Sequence, residues 1–325
     1  MNKKKLYQRF SKDYNLPINI FDEEIFEYYK VLYKDFFPFD ALDNVIDLIE
    51  TKYDGNVELW LDYCASVRDN AINYILENEK YKEFNTSDLS KYNISLPCSE
   101  RSCYSEETNG KFYLSIDLKK ANFQALKYVG VIDDYNYDIF IRRMGGDDYI
   151  AGSKYLRQVI FGKCNPSRQI KIEKYLMNMV YFAVKNKLNH NGFNIFSFNS
   201  DEIVFEANNE IIEKINVNGF ECYKSNMQTL IDELYGIINK YLNIDVTIEL
   251  NQINSLNIFN YNASKVDAYV KRNCITGKEV LKKASTTFYP QIYKLYKGME
   301  ITKMDMTFYF ENQLASFNLP LIKNY

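Results

Sequence analysis

The chain has 325 residues, 46% of them hydrophobic and 26% charged, with a formal net charge of −3, so it has the material for a buried core and is neither disordered nor broadly basic. A net-acidic chain is a poor match to a protein that coats nucleic acid through charge over its whole surface. Six scattered cysteines and a single His exclude a disulfide framework and leave too few partners for a zinc site.

Residues from about 20 to 85 read as helical, with Leu59, Tyr63, Val67, Ala71 and Ile75 spaced four apart on one stripe. Between about 86 and 111 the chain turns polar and irregular, which sets a boundary between a helical N-terminal region, 1–110, and the rest of the chain. No apolar run reaches transmembrane length, and Met1-Asn2-Lys3-Lys4-Lys5 leads into no signal-type core. The expectation is a cytoplasmic protein with free thiols and no membrane partner.

Phe112 to Ile116 is a short apolar run of strand length. From Arg142 to Tyr175 eight basic residues face three acidic ones, a local net of +5 that leaves −8 for the remainder. Met144-Gly145-Gly146 reads as a hinge inside this segment. Ser167 to Lys187 predicts a long amphipathic helix with Ile172, Leu176, Met179, Val180 and Ala183 on one face, and the Ser167 hydroxyl as its cap. Phe193 to Phe198 and Ile203 to Glu206 predict a hairpin joined by Asn199-Ser200-Asp201-Glu202. A helix over about 224–242 follows, and Ile244 to Leu250 alternates as a half-buried strand.

In order, 112 to 250 reads β, α, β, β, α, β. This predicts an α+β fold of the ferredoxin-like, split βαβ kind over 111–260, with a basic insertion at about 130–187. A region 261–325 closes the chain with a further hairpin, 268–272 with 279–283, and an aromatic, helical stretch from Tyr289 to Phe310.

In that topology Asp117, at the end of the first strand, and Asp201 with Glu202, at the hairpin tip, meet at one edge of the sheet. Carboxylates crowded together repel unless a cation neutralises them, and hard divalent ions prefer such oxygen-only sites. Asp117 also fits the cap of a helix starting at Leu118, and Asn199 to Glu202 also fits a plain polar turn. The basic segment also fits a solvated helix face.

Ser115-Ile116-Asp117-Leu118-Lys119-Lys120-Ala121-Asn122-Phe123-Gln124 resembles motif A of reverse transcriptases. Phe198-Asn199-Ser200-Asp201-Glu202-Ile203-Val204-Phe205-Glu206 resembles motif C of family A DNA polymerases. The resemblance covers about twenty residues. Ser200 replaces the His usual before the acidic pair, the Tyr of the reverse-transcriptase motif C is missing, and no family A fingers helix is found.

The resemblance implies a polymerase palm and an enzyme, a two-metal nucleotidyltransferase that adds nucleotides to a primer 3′ end. Its catalytic metal ligands would be Asp117, Asp201 and Glu202, holding two Mg²⁺ or Mn²⁺ ions. Asn122 would stand at the sugar-sensing position, with Phe123 beside it. Arg142, Arg143, Arg157, Lys163, Arg168 and Lys171 would hold a nucleoside triphosphate, and a nucleic-acid primer or template would be the partner. The rival readings are a two-metal nuclease and a catalytically silent palm-fold scaffold or binding protein.

Overall fold

A computed structural model of the chain describes residues 1–255, 259–261, 264–266, 268–311 and 313–318. Five helices come first: α1 (Lys3–Tyr14), α2 (Glu23–Tyr33), α3 (Asp40–Lys52), α4 (Val57–Glu77) and α5 (Glu79–Thr86). Asn2, Asp22, Asn56 and Asn78 cap four of them by accepting from first-turn backbone amides. The buried face of α4 is Val57, Trp60, Cys64, Val67, Ala71 and Ile75, whereas Leu59 is exposed. The expected stripe thus holds for Val67, Ala71 and Ile75, with Tyr63 partly buried against the core, and fails at Leu59. Steps of four residues advance 40° too far per step on a 3.6-residue helix, so such a row slides off the core face.

The central part begins with β1 (Phe112–Leu118) and α6 (Ala121–Tyr128). It continues through α7 (Tyr137–Arg143), α8 (Asp148–Gly152), α9 (Lys154–Gly162) and α10 (Pro166–His190). Then come β2 (Phe193–Phe198), β3 (Glu202–Ala207), α11 (Asn209–Asn218), α12 (Phe220–Tyr241) and β4 (Val246–Ser255). After the short pair β5 (Phe259–Tyr261) and β6 (Ser264–Val266), β7 (Tyr269–Asn273) and β8 (Glu279–Lys282) rejoin the main sheet. The chain closes with α13 (Tyr289–Tyr296), β9 (Thr307–Phe310) and β10 (Gln313–Ser316).

The fold is α+β. Its main sheet is six-stranded and antiparallel, in the order β2-β3-β1-β4-β7-β8. Leu114, Ile116, Leu118, Ile203, Phe205, Val246, Ile248 and Leu250 line one face, all buried in the main core with residues of α6, α10 and α12. That core runs without a break from Leu6 to Tyr293, so the N-terminal helices are packed into it. The other face carries a small second cluster, Tyr113, Val204, Ile253 and Tyr269, under Cys103 and Tyr104 of the preceding segment.

Three details correct the sequence reading. The aromatic stretch after Tyr289 is not one helix: α13 stops at Tyr296, where Gly298 takes φ +66° and the Met299 amide reaches back to the Lys294 carbonyl. Thr307 to Phe310, β-branched and aromatic, then forms a strand. Gly145-Gly146 is a tightly packed turn, since a Cβ on Gly146 would lie 2.5 Å from Ile141 Cγ2. And α10 starts at Pro166 after a left-handed Asn165; the Ser167 hydroxyl donates to the Asn165 side chain and does not cap the helix.

The basic segment also sits differently from a free-standing insertion. α9 packs on α1 and α4, and Asp13 of α1, fully buried, accepts from Tyr149 Oη and Ser153 Oγ at 2.8 Å each.

A candidate active site where four strands bring carboxylates together

The geometry follows from strand register. Asp117 is paired with Glu202 across β1 and β3 and with Thr247 across β1 and β4. The next pair out, Leu118 with Asp201, is joined by a 2.7 Å bond from the Leu118 amide to the Asp201 carbonyl. Hydrogen-bonded and open pairs alternate along an antiparallel ladder, so Asp117 and Glu202 form an open pair. Their Cβ atoms then stand about 5 Å apart on the same face.

Asp201 is held at the hairpin tip, where the Asn199 amide donates to the Glu202 carbonyl at 2.8 Å and leaves Ser200 and Asp201 as the two-residue connection. The tip therefore presents Asp201 at the end of the sheet and Glu202 one step in. The capping alternative does not hold: α6 begins at Ala121 with Lys120 before it, and Asp117 lies within β1.

Burial, followed by the negative charges of Asp201 and Glu202, pushes the Asp117 carboxyl up to about 7. Burial also raises Glu202, with Lys271 opposing and Asp201 adding to the rise. A fourth acid joins the group. Glu173 of α10 is 3% exposed and accepts from the Asn122 side-chain amide at 2.8 Å. Burial and then Asp201 push Glu173 up to about 7.

On the same sheet face, Glu249 of β4 receives Lys271 of β7 at 3.0 Å. Burial works to raise Glu249, but Lys271 holds it below the usual carboxylate range.

Beside Asp117 opens a cavity of about 480 Å³ lined by Lys120, Phe123, Tyr137, Asp138, Arg157 and Asp245 among others. Lys120 pairs with Asp138 at 2.5 Å and lies 4.8 Å from the centre of the Tyr137 ring. The Arg157 guanidinium lies 5.9 Å from the same ring, and burial lowers its hold on a proton. A larger hollow, about 850 Å³, lies at the start of α1 against Tyr309 and Leu314, and none of the carboxylates above lines it.

Of the eight residues expected to hold a nucleotide, Phe123 and Arg157 line the cavity beside Asp117. Phe123 is 1% exposed and serves the core. Asn122 faces Glu173. Arg142 is exposed and paired with Asp148 at 2.6 Å. Arg143 pairs with Asp134 at 2.5 Å and covers the Tyr74 ring. Lys163 is exposed at the end of α9. Arg168 donates to the Ser87 carbonyl over the Phe84 ring, and Lys171 acts on Asp88 on that same side.

Glu173, Glu249, Lys271 and Lys120 were not singled out from the sequence. For Glu173 a signal existed: an acid directly beside Ile172 and three residues before Leu176 lies on the apolar face of its helix.

Among the described residues no three Asp, Glu, His or Cys side chains are gathered closely enough to hold a metal ion as they stand. Nor is any described helix long and apolar enough to cross a membrane. No family model, curated protein or solved structure matches the chain.

Proposed function

We propose that the chain is a two-metal nucleotidyltransferase built on a polymerase-type palm, which adds nucleotides to a nucleic-acid 3′ end. The strand order β2-β3-β1-β4, with α6 to α10 between β1 and β2 and α11 and α12 between β3 and β4, is that of the split βαβ plan on which palms are built. The observation that carries the reading is the open pair of Asp117 with Glu202, capped by Asp201, beside a cavity holding Arg157.

The donor set suits magnesium or manganese. Asp117, Asp201 and Glu202 offer carboxylate oxygens, and their mutual repulsion together with the raised Asp117 is relieved by a cation. Cβ atoms about 5 Å apart need only side-chain rotation to bring both carboxylates onto one ion. Such ions supply the charge that favours a 3′-alkoxide and a departing pyrophosphate.

The protein's own groups would do the rest. Arg157 and Lys120 bind the phosphates in the cavity, each lying over the Tyr137 ring. Asn122, fixed by Glu173, presents its remaining amide atoms toward the sugar. Primer extension with Mg²⁺ or Mn²⁺, repeated with Asp201→Ala, tests this. Degradation of the primer without nucleotides would point instead to a nuclease, and inertness in both assays to a scaffold.

A further inference from the structure

We propose that residues 98–108 are an autoinhibitory strap, which lies across the open face of the main sheet and must lift before an acceptor can reach Asp117. The proposal rests on the nucleotidyltransferase reading for what the strap excludes, and on its own contacts for the strap itself.

The sheet has one face to offer an acceptor. The face of Leu114, Ile116, Ile203 and Phe205 is filled by the main core. Side chains alternate along a strand, so Tyr113 and Ser115 share the opposite face with Asp117, and Val204 shares it with Glu202. Asp117 is reached from the end of the sheet, where the cavity with Arg157 lies, and from this second face. A triphosphate in the cavity leaves the second face as the approach of the acceptor.

The strap lies over that approach, tied down from β2 to the residue after β8. The Arg101 amide donates to Ser197 Oγ of β2 at 2.9 Å, and Ser197 is 1% exposed. Beyond it, Lys283 Nζ donates to the Tyr104 carbonyl at 2.7 Å, and the Tyr104 ring lies 6.4 Å from that of Tyr269. Between these ties Cys103 and Tyr104 pack on Tyr113, Val204, Ile253 and Tyr269. An irregularity in β2 between Ile195 and Ser197 adds Phe196 to the same cluster, 5.1 Å from the Tyr113 ring. Val204 is two residues from Glu202, about 7 Å along β3, so the covered cluster begins one side chain away from the carboxylates.

The strap is built to come away. The cluster beneath it has four buried residues, against a main core that runs from Leu6 to Tyr293. Its regular structure is a single 3₁₀ turn, Glu106–Thr108, and part of its bonding is internal. The Tyr104 amide donates to Ser102 Oγ at 3.2 Å and the Ser105 amide to Thr108 Oγ1 at 3.1 Å. Such bonds travel with the strap, so lifting it breaks its ties to the sheet and keeps those within it. Gly110, at φ +75° with open space where a Cβ would be, makes the bend into β1, and its amide is held by the Ile253 carbonyl at 2.7 Å. The strap therefore lifts from a fixed end while β1 stays in the sheet.

Hydrogen exchange of the full chain, read by mass spectrometry on peptides from 98–108 and from β1, tests this beside primer extension. Corrected for intrinsic rates, the strap is expected to exchange at least about a hundredfold faster than β1. Tyr104→Ala/Lys283→Gln removes the ring contact and the carbonyl tie. It should speed exchange of the strap about tenfold further, leave β1 unchanged and raise primer extension at least about threefold, because the rate follows the open fraction. Lys283→Gln alone should move both readouts the same way by less, which serves if the double variant does not fold. Tyr104→Phe keeps the ring on Tyr269 and should change neither. Exchange of strap and β1 together overturns the proposal.

The two readings fail in different ways. Extension by the wild-type chain with no gain in a variant whose strap exchanges faster rejects the strap and keeps the nucleotidyltransferase. Local opening of 98–108 with no extension by either protein rejects the nucleotidyltransferase and keeps the strap as a movable cover beside the carboxylates.

Discussion

Asp117 and Glu202 face one another across β1 and β3 as an open pair, with their side chains on the same side of the sheet. Burial and the facing charges push Asp117 up to about 7, against an ordinary value near 3.9. Between those limits the folded chain binds a proton that the unfolded chain has released. Stability contributed by this group is complete at low pH and is lost as the pH rises through the folded value. Without divalent ions, the melting temperature is expected to fall from about pH 4.5 to 7.5 by a component that Asp117→Asn lacks. Calorimetry of the two proteins across that range decides it. Parallel curves would show that Asp117 is not held against its neighbours.

Glu173 depends on Asn122 for its described hydrogen bond. Asn122→Ala leaves a buried carboxyl unpartnered and should cost about 1–3 kcal/mol in urea unfolding. Glu173→Gln removes the charge facing Asp201, and so should raise stability at about pH 8, where the carboxyl, raised to about 7, is ionised. A loss of stability in Glu173→Gln at that pH would mean the charge is compensated.

Arg157 is the one expected phosphate ligand with a cation in the cavity beside Asp117. Removing a charge-assisted bond worth about 1.5–3 kcal/mol should raise the KM for nucleoside triphosphate about tenfold to a hundredfold in Arg157→Gln. Arg142→Gln should shift it less than about twofold, because that side chain is exposed and paired with Asp148. Steady-state kinetics with both variants would expose an error in the placement if Arg142 had the larger effect.

The C-terminal part is pinned by a buried ion pair, Lys294 with Asp305 at 2.8 Å, which also receives Tyr28 of α2 at 2.9 Å. Lys294→Met strands a buried carboxylate and should cost about 3–5 kcal/mol, most of it recovered in Lys294→Met/Asp305→Leu. Denaturant midpoints of the single and double variants measure the difference. Equal losses in both would show that packing, not charge, sets the cost.

Much of the central fold was legible because its signals are local. Val246, Ile248 and Leu250 are buried opposite Thr247 and Glu249, as the alternation predicts, and the Asn199–Glu202 turn lies where its polar residues put it. The order of strands then brought Asp117 to Glu202. The basic segment misled because charge density along a chain says nothing of direction. Arg142 and Arg143 are answered by Asp148 and Asp134, a few residues away, and Arg168 by a carbonyl of the segment after α5. The lysines that do approach the carboxylates on the open face, Lys271 and Lys282, come from strands over a hundred residues beyond β1, where only register can place them.

The central claim is that Asp117, Asp201 and Glu202 act together on a bound nucleotide. Primer extension by the full chain, with Mg²⁺ or Mn²⁺ and each nucleoside triphosphate, measures it most directly. The account predicts metal-dependent extension that falls by at least about a hundredfold in Asp117→Asn and in Asp201→Ala, with folding intact in both. Extension that survives either substitution, or that needs no divalent ion, would contradict it.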